Sequence, residues 1–178
     1  MLVVAATERE LGSVDGFVCG VGPVDAAART AAALAARRPD WVLHIGLAGA
    51  RGIEPPALVL GSESVYSDVI DAGSPFPRVE RVQPDAALLA HVRAVLPDAL
   101  VLPIGTSGRV GGVGECTVEG MEGFGVLRAC ALAGVPAVEL RAVSNDVDEP
   151  DRARWRFEDA LAALATALAR LRETPRSR

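Results

Sequence analysis

The stretch EGMEGFGVLRACALAGVPAVELRAVSND, residues 119–146, determines the predicted fold. It places a carboxylate, Glu122, at the start of an apolar helix. A strand follows and ends on the polar run Ser144, Asn145 and Asp146. Two polar sites that frame one hydrophobic unit indicate a pocket.

Strand-like and helical segments alternate along the rest of the chain. Several of the strand-like runs are continuously hydrophobic, which is typical of strands covered by helices on both faces of a sheet. The predicted strands are 2–6, 16–21, 41–46, 57–66, 99–104 and 137–143. The predicted helices are 23–38, 84–96 and a C-terminal helix. The C-terminal helix is amphipathic, with one apolar stripe formed by Phe157, Leu161, Leu164, Leu168 and Leu171. The pattern predicts an α/β fold, a three-layer α-β-α sandwich around a mixed, mostly parallel sheet. Such folds bind ligands beyond the carboxyl ends of the strands, where loops collect.

The length and charge of the chain limit the possible classes of function. Its 178 residues, half of them apolar, predict one domain over 1–173 with a frayed tail over 174–178. The formal charge of −5 argues against nucleic acid as a partner, because that binding rests on clustered basic residues. The chain has arginines but no lysine, which excludes chemistry that requires a lysine. No apolar run approaches the roughly 18 residues of a membrane span, so we expect no membrane partner and a soluble cytoplasmic protein.

The cysteines and histidines offer no pattern for a disulfide framework or a metal site. Cys19, Cys116 and Cys130 are odd in number and widely spaced, which indicates reduced thiols. His44 lies inside an apolar strand-like run, and His91 stands alone. Neither a zinc site nor a Ser-His-Asp triad is therefore predicted.

Three glycine-rich stretches bear on a cofactor site. GVGPVDAA at 20–27 lacks the third glycine and the downstream acid of a dinucleotide-binding loop, so it predicts a tight turn between a strand and a helix. GRVGGVGE at 108–115 contains no lysine and predicts a flexible loop over a pocket. HIGLAGARG at 44–52 has small residues that let backbone amides approach a ligand, although packing alone explains this composition equally well. No cofactor is predicted.

These motifs, taken in order, resemble the nucleoside phosphorylase and nucleosidase superfamily. The resemblance runs through VVAATERE, GVGPVDAA, HIGLAGA, GSESVYSD, VEGMEG and RAVSND, and it implies a sandwich of the nucleoside phosphorylase type. The methylthioadenosine and S-adenosylhomocysteine hydrolases of this superfamily usually carry an aspartate where the chain has Asn145. Asn145 followed by DEPDRARW, with Trp155, is more similar to the futalosine hydrolases. The implied reaction is hydrolysis of the N-glycosidic bond of futalosine to hypoxanthine and dehypoxanthine futalosine, in menaquinone biosynthesis.

The resemblance implies chemical roles for four residues. Breaking an N-glycosidic bond builds positive charge on the ribose, so nearby negative charge and a held water favour the reaction. Glu10 matches the residue that binds and deprotonates this water. Glu122 matches the acid that accepts both ribose hydroxyls, and Met121 forms an apolar wall against the sugar. Asn145 can donate and accept hydrogen bonds but cannot deliver a proton, which suits a 6-oxopurine better than adenine.

Further residues are implied as substrate contacts. They are Leu47, Ala48 and Gly49 in the small-residue stretch, Ser107, Gly108 and Val110 near the base, and Asp146 and Trp155 after the last predicted strand. Asp146 is a possible substitute acid, but a strand that continues through it would direct its side chain away from the site. Its alternative role is a capping or solvated carboxylate. The segment 104–119 is shorter than the base-covering region usual in the superfamily, which leaves the substrate range open.

Three alternatives stay open. A purine nucleoside phosphorylase would use phosphate, for which Arg9 and Arg51 lie close to the candidate loops, although Glu10 would repel that anion. A methylthioadenosine-type nucleosidase is the second alternative. A nucleoside-binding protein without activity would retain Glu122 without requiring Glu10. The expected partners are a small-molecule nucleoside and further copies of the chain, since relatives commonly pair across the region that corresponds to 61–77.

Overall fold

A central β-sheet organises the structure, a computed structural model that describes residues 1–68, 78–111 and 114–174. Within these residues eight strands belong to the sheet. They are β1 (Leu2–Ala5), β2 (Phe17–Val18), β3 (Val42–Ala50), β4 (Leu58–Tyr66), β5 (Arg81–Val82), β6 (Leu100–Thr106), β7 (Val118–Gly120) and β8 (Ala137–Asp146). Val, Leu and Ile are frequent in the longer strands, since branched side chains pack well on a buried pleated surface.

Four α-helices of the described chain lie between strands, and a fifth follows β8. They are α1 (Glu8–Leu11), α2 (Pro23–Arg37), α3 (Ala86–Val95), α4 (Gly123–Ala133) and α5 (Phe157–Glu173), with a short 3₁₀ helix at Arg152–Arg154. α2 begins at Pro23, whose missing N–H has no intrahelical partner to lose in the first turn. α3 follows Asp85, whose carboxylate accepts the Leu88 N–H at 2.8 Å. Local sequence therefore determines where these two helices start.

Strand pairing produces the mixed, mostly parallel sheet that the sequence predicted. Parallel pairs join β1 to β2 and β3, β3 to β8, and β6 to β4 and β7. The pairs of β3 with β7, β4 with β5 and β4 with β8 are antiparallel. The pairings β3–β8–β4–β6–β7–β3 also close a ring of five strands, which the sequence pattern did not predict. One apolar cluster takes residues from every strand of this ring, namely Ala48, Ala50, Val59, Ile104, Val118 and Val143.

Helices cover both faces of the sheet, which confirms the predicted three layers. Successive residues of β1 point to opposite faces, so Val3 and Ala5 belong to one core cluster and Val4 to another. The first cluster includes Leu88 and Val92 of α3 with Leu164 and Leu168 of α5, and the second includes Leu34 of α2 with Val126 and Leu127 of α4. Each fully buried Leu or Val side chain contributes about 1.5–3 kcal/mol to folding.

The strand boundaries differ from the prediction at the edge of the sheet. β3 continues past residue 46 to Ala50, because its small residues keep pairing with β7 and β8. β8 continues past residue 143 to Asp146. The run 16–21 contains only the two-residue β2, since Gly20 and Gly22 turn the chain into α2 with positive φ values. The short elements α1, β5, β7 and the 3₁₀ helix were not predicted, because they are too short to show a periodic pattern.

Three predicted features lie partly outside the described residues. Of the tail 174–178, only Thr174 is described, where α5 ends. Of the contact region 61–77, residues 69–77 lie outside, and of the loop 108–115, residues 112–113 do. In the part of the chain that the structure covers, no helix is long and apolar enough to span a membrane.

Candidate active site

A cavity of about 310 Å³ lies at the carboxyl ends of the parallel strands β1, β3 and β8. This is the edge at which α/β folds bind ligands. The lining residues are Ala6, Thr7, Arg9, Glu10, Val21, Leu47, Ala48, Gly49, Arg109, Val110, Glu119, Gly120, Met121, Glu122, Ser144, Asn145, Trp155, Phe157 and Leu161. The structure thus brings together all the predicted site residues except Ser107, Gly108 and Asp146.

Glu10 lines the cavity from α1, where a reciprocal cap fixes its carboxylate. The Thr7 N–H and hydroxyl donate to Glu10 Oε2 at 3.0 and 2.9 Å, and the Glu10 N–H donates to Thr7 Oγ1 at 3.3 Å. This capping box explains why the chain turns into a helix directly after β1. The Leu47 N–H donates to the second carboxylate oxygen, Oε1, at 3.1 Å. Donors from two elements therefore hold Glu10 in one orientation.

Glu122 lies at the N-terminus of α4 and is buried. Its Oε1 accepts the Gly22 N–H at 3.1 Å, and its Oε2 accepts from Arg141 Nη1 at 3.3 Å. Gly22 has a φ of 92°, which favours glycine at this position. Met121, the preceding residue, also lines the cavity, so a fixed carboxylate and a thioether adjoin the same space.

Asn145 reaches the cavity because β8 contains a bulge. The register of β3 and β8 shifts between Ala48, which pairs with Val143, and Gly49, which pairs with Asn145. A bulge of this kind re-aims side chains, and here Ser144 and Asn145 both line the cavity. The Ser144 hydroxyl donates to Asn145 Oδ1 at 2.7 Å, and Asn145 Nδ2 donates to its neighbouring backbone carbonyl at 2.9 Å.

The other predicted contacts that line the cavity come from three places. Leu47, Ala48 and Gly49 belong to β3 itself, not to a loop after it. Val110 belongs to the segment between β6 and β7 and is exposed. Trp155 follows the 3₁₀ helix, and its Nε1–H donates to the Glu149 carbonyl at 3.1 Å.

Ser107, Gly108 and Asp146 do not line the cavity, so the geometry does not support their predicted contacts with substrate. The Ser107 hydroxyl and the Gly108 N–H instead donate to the two carboxylate oxygens of Asp68, at 2.8 and 2.6 Å. Asp146 is exposed, and its carboxylate accepts the Asp148 N–H at 2.8 Å. It caps the turn after β8, which is the alternative role considered from the sequence.

Sequence reasoning missed a buried arginine next to Glu122. Arg141 is 1% exposed, and its Nε donates to Glu139 Oε1 at 2.8 Å. Its Nη1 donates to the Leu47 carbonyl at 3.2 Å as well as to Glu122, and its Nη2 contacts His44 Nε2 at 2.7 Å. Arg141 thus links His44 and Leu47 of β3 to Glu122, the carboxylate that lines the cavity.

Glu139 completes this group, because its second carboxylate oxygen accepts the Ser64 hydroxyl. We call Arg141, Glu139, His44 and Ser64 the ionic cluster. The sequence carried a signal for it: Glu139 and Arg141 stand two residues apart in an apolar strand, and hence on the same face. Because buried charges require partners, this spacing indicates an ion pair.

Three glycines, which have no side chain, provide the space that the ionic cluster occupies. A side-chain carbon at Gly123 would overlap the Glu139 carboxylate, and one at Gly46 would overlap Arg141 Nη1. At Gly120 such a carbon would lie 3.0 Å from the guanidinium carbon of Arg141. The glycine after Glu122 therefore accommodates the carboxylate of the following strand.

The environment fixes the protonation states of Arg141 and His44. Burial alone would lower the pKa of Arg141, but the carboxylates of Glu139 and Glu122 raise it above its ordinary value. Burial and the charge of Arg141 lower the pKa of His44 well below its ordinary range, against the opposing effect of the Val4 carbonyl. That carbonyl lies 3.1 Å from Nδ1 and can only accept, so Nδ1 carries the proton and Nε2 accepts from Arg141.

The two arginines considered for phosphate are engaged elsewhere. Arg51 does not line the cavity, and its Nη1 donates to the Cys116 carbonyl at 3.3 Å. Arg9 lines the cavity but pairs with Glu158 and lies 6.0 Å from the Phe157 ring centre. Among residues 1–68, 78–111 and 114–174, no group of three His, Cys, Asp or Glu side chains could hold a metal ion.

A comparison with protein families identifies the class of protein to which this fold and site belong. The family model described as the phosphorylase superfamily matches residues 14–113 and 109–174. The chain therefore belongs to the phosphorylase superfamily, and the resemblance seen in the sequence is confirmed. The two matches meet at 109–113, inside the segment 104–119 that the sequence predicted to be shortened.

Curated relatives narrow this class. The futalosine hydrolase of Streptomyces coelicolor is 39% identical over 186 aligned residues, which cover 88% of this chain and 77% of that protein. The futalosine hydrolase of Acidothermus cellulolyticus is 31% identical over 191 residues, which cover 94% and 78% of the two chains. The predicted similarity to futalosine hydrolases is thereby confirmed.

Solved structures show the same fold at lower identity. A futalosine hydrolase mutant of Helicobacter pylori matches with a TM-score of 0.79 at 17% identity, over 94% of this chain and 96% of that one. The 5′-methylthioadenosine/S-adenosylhomocysteine nucleosidase of Neisseria meningitidis matches with a TM-score of 0.78 at 22% identity, over 95% of both chains. At these identities the likeness concerns the fold alone.

Proposed function

We propose that this protein hydrolyses the N-glycosidic bond of futalosine and releases hypoxanthine, as a step of menaquinone biosynthesis. The observation that carries the proposal is that Glu10 and Glu122 line one cavity, each held by backbone N–H groups. Cleavage of this bond develops positive charge on the ribose, and preorganised carboxylates stabilise such charge. The name shared by the curated relatives supports futalosine as the substrate.

Glu10 binds the attacking water and removes its proton. A general base must lie within hydrogen-bond reach of the proton that it accepts, and Glu10 lies on the cavity surface. The Thr7 cap and the Leu47 N–H keep its carboxylate from rotating away. Such preorganisation aligns the water with the bond that breaks.

Glu122 accepts hydrogen bonds from the 2′ and 3′ hydroxyls of the ribose. Its oxygens accept from Gly22 and Arg141 at 3.1 and 3.3 Å, and a carboxylate has about four lone-pair sites, so acceptor capacity is left for a diol. Its negative charge also opposes the developing positive charge of the sugar. Met121 supplies the apolar wall against which the sugar packs.

Asn145 recognises the base. The Ser144 hydroxyl occupies Oδ1, and the Asp146 carbonyl takes one of the two Nδ2 hydrogens. The remaining hydrogen makes the side chain a donor toward the cavity, which suits the adjacent acceptors N7 and O6 of a 6-oxopurine. The departing base is then activated by a hydrogen bond at N7, directly or through water.

Hydrolysis is favoured over phosphorolysis because the Glu10 carboxylate lies at the proposed nucleophile position and the buried arginine is bound elsewhere. Arg141 is bound by Glu139, Glu122 and His44 and does not line the cavity, and Arg9 forms an exposed ion pair with Glu158. Phosphate binding requires charge-assisted donors. A second anion next to the Glu10 carboxylate would also be repelled.

We further propose that the protein works as a homo-oligomer in the cytoplasm. Val21, which lines the cavity, and Val24 are 58% and 75% exposed, and such apolar surface suits a protein interface. Cys19, Cys116 and Cys130 are free thiols, which are typical of a reducing compartment.

Assays of base release from several nucleosides test the proposed function. The purified protein is incubated with futalosine, inosine and methylthioadenosine, with and without phosphate, and free bases are separated by chromatography. We expect hypoxanthine release from futalosine to be the fastest reaction and to proceed without phosphate. Dependence on phosphate would indicate a phosphorylase, faster adenine release a methylthioadenosine nucleosidase, and binding without cleavage a protein that lacks the activity.

A further inference from the structure

We propose that Glu139 is a positioning residue for this reaction: by binding Arg141, it keeps Glu122 free to accept the ribose hydroxyls. The inference rests on the proposed function, because it concerns the ribose end of the same site. Glu139 itself does not line the cavity. It therefore acts through Arg141.

The distances show which carboxylate Arg141 prefers. Its Nε lies 2.8 Å from Glu139 Oε1, whereas its Nη1 lies 3.3 Å from Glu122 Oε2 and shares its donors with the Leu47 carbonyl at 3.2 Å. Charge-assisted N–H···O bonds are strongest at about 2.7–2.9 Å. Glu139 is thus the principal partner of Arg141, and Glu122 is a secondary one.

The ionic cluster is held so that this preference persists. Glu139 is completely buried, accepts the Ser64 hydroxyl and fills the space next to Gly123. On the opposite side of the guanidinium, the neutral His44 ring accepts from Nη2 and is itself bound to the Val4 carbonyl. Arg141 cannot turn toward Glu122 without breaking bonds at both ends.

The charge balance explains why the reaction needs Glu139. With Glu139 in place, its carboxylate neutralises Arg141, and the negative charge of Glu122 remains for the sugar. Without it, Arg141 would be an uncompensated buried cation whose nearest carboxylate is Glu122. A full ion pair with Glu122 would occupy the oxygen that the ribose requires and cancel the charge that opposes the positive ribose.

The replacement Glu139→Gln tests this inference, because it removes the charge and keeps the shape. We measure kcat and KM on futalosine, and, in a Glu10→Gln background that prevents cleavage, the affinities for inosine and 2′-deoxyinosine by calorimetry. The ratio of the two affinities reports how well Glu122 accepts the 2′ hydroxyl. We expect kcat and this ratio each to fall about tenfold, the size typical of a hydrogen bond to a charged group, while affinity for 2′-deoxyinosine, which keeps the 3′ hydroxyl, falls less than affinity for inosine.

Two further variants separate positioning from stability. Leu88→Ala destabilises the core at α3 without lining the cavity, so it should lower the unfolding temperature and leave kcat and the ratio unchanged. Ser64→Ala keeps the charge of Glu139 but removes one of its bonds, and we expect a fall of about threefold in the same ratio. If Glu139→Gln does not fold, the ratio of the inosine and 2′-deoxyinosine affinities in Ser64→Ala tests the inference.

If Glu139→Gln folds, an unchanged affinity ratio and an unchanged kcat would overturn the inference. If it does not fold, an unchanged affinity ratio in Ser64→Ala would overturn it. Either result would leave the proposed function standing. Wild-type protein that binds ribonucleosides but cleaves none would contradict the hydrolysis alone, and the ratio would still test Glu139. Wild-type protein that binds no nucleoside would contradict both.

Discussion

The ionic cluster and the β6–β7 connection, residues 107–117, serve the same cavity but are built in opposite ways. In the cluster the side chains are buried, and Arg141 is held by two carboxylates, a carbonyl and a neutral imidazole. In the connection, Arg109 and Val110 line the cavity and are exposed. Among its described residues, the Gly111 N–H donates to the Glu119 carboxylate of β7 at 2.8 Å.

The two regions should therefore contribute differently to the reaction and to the choice of base. Breaking a buried ion pair costs about 3–5 kcal/mol, whereas most exposed substitutions stay within about 0.5 kcal/mol. The groups bonded to Glu122 are therefore fixed, whereas the exposed residues of the connection tolerate substitution. The two family matches overlap at 109–113, within this connection. Changes at the carboxylates should affect every substrate, and changes at Asn145 should alter the preference among them.

The largest effect is expected at Glu10. Glu10→Gln should lower kcat about 10²- to 10⁴-fold, the usual contribution of a general base, while substrate affinity measured by calorimetry stays nearly intact. Glu8→Gln is a matched control, because Glu8 belongs to the same helix, is exposed and does not line the cavity. Base release by Glu10→Gln at the wild-type rate would show that Glu10 only caps α1.

Glu122 should come next. An amide accepts hydrogen bonds less well than a carboxylate, so Glu122→Gln should raise KM and lower kcat together, about 10- to 100-fold in kcat/KM. A 2′-deoxyribonucleoside should lose less, because it lacks one of the hydroxyls that Glu122 accepts. Kinetics on inosine and 2′-deoxyinosine measure both losses, and equal losses would rule out the diol role.

Asn145, a buried residue of β8, is expected to affect the choice of base. Asn145→Asp should shift preference toward adenine, because a carboxyl group that retains a proton in a desolvated site can protonate N7, while an ionised one repels O6. The ratio of kcat/KM for futalosine over methylthioadenosine should fall about 5- to 150-fold, which corresponds to about 1–3 kcal/mol.

The neighbouring residue serves as the control for Asn145→Asp. Asp146→Asn changes a charge one position along the strand, but its carboxylate caps a turn outside the cavity, so we expect the substrate ratio to stay as in the wild type. An unchanged ratio in Asn145→Asp would remove Asn145 from base recognition and most of the support for futalosine over other nucleosides.

The smallest effect concerns the buried His44 and the pH dependence of stability. In the folded protein its pKa is lowered, and in the unfolded chain it returns to about 6.5. Below that pH the unfolded chain binds a proton that the folded protein does not, so His44 should lower the free energy of unfolding by up to about 1.4 kcal/mol per pH unit. Urea unfolding between pH 7.5 and 5.5 should give a shallower slope for His44→Gln. Equal slopes in the two proteins would mean that the folded state protonates His44 freely.

Much of the fold could be predicted, because its strands and helices are long and strongly patterned. The Pro23 start of α2 and the leucine stripe of α5 were visible in the sequence, and so were the carboxylates Glu10 and Glu122 once the motifs were taken in order. The alternation of these elements was enough to predict three layers and the edge at which the cavity lies.

The remainder depended on contacts between distant residues. The bulge at Ser144 results from pairing with β3. Because of it, the alternation of side chains along a strand does not predict which residues of β8 face the cavity. The roles of Ser107 and Gly108 depend on Asp68, which lies about 40 residues earlier in the sequence and whose carboxylate accepts their hydrogen bonds. The ionic cluster unites residues from three strands, so only the sheet topology shows why Gly123 must be small.

In the proposed reaction, water activated at a cavity with two fixed carboxylates cleaves the nucleoside. The most direct test is to identify the sugar product of futalosine turnover by mass spectrometry, without phosphate and with saturating phosphate. We predict free dehypoxanthine futalosine at the same rate under both conditions. A sugar 1-phosphate as the product, or turnover only when phosphate is present, would contradict hydrolysis by water.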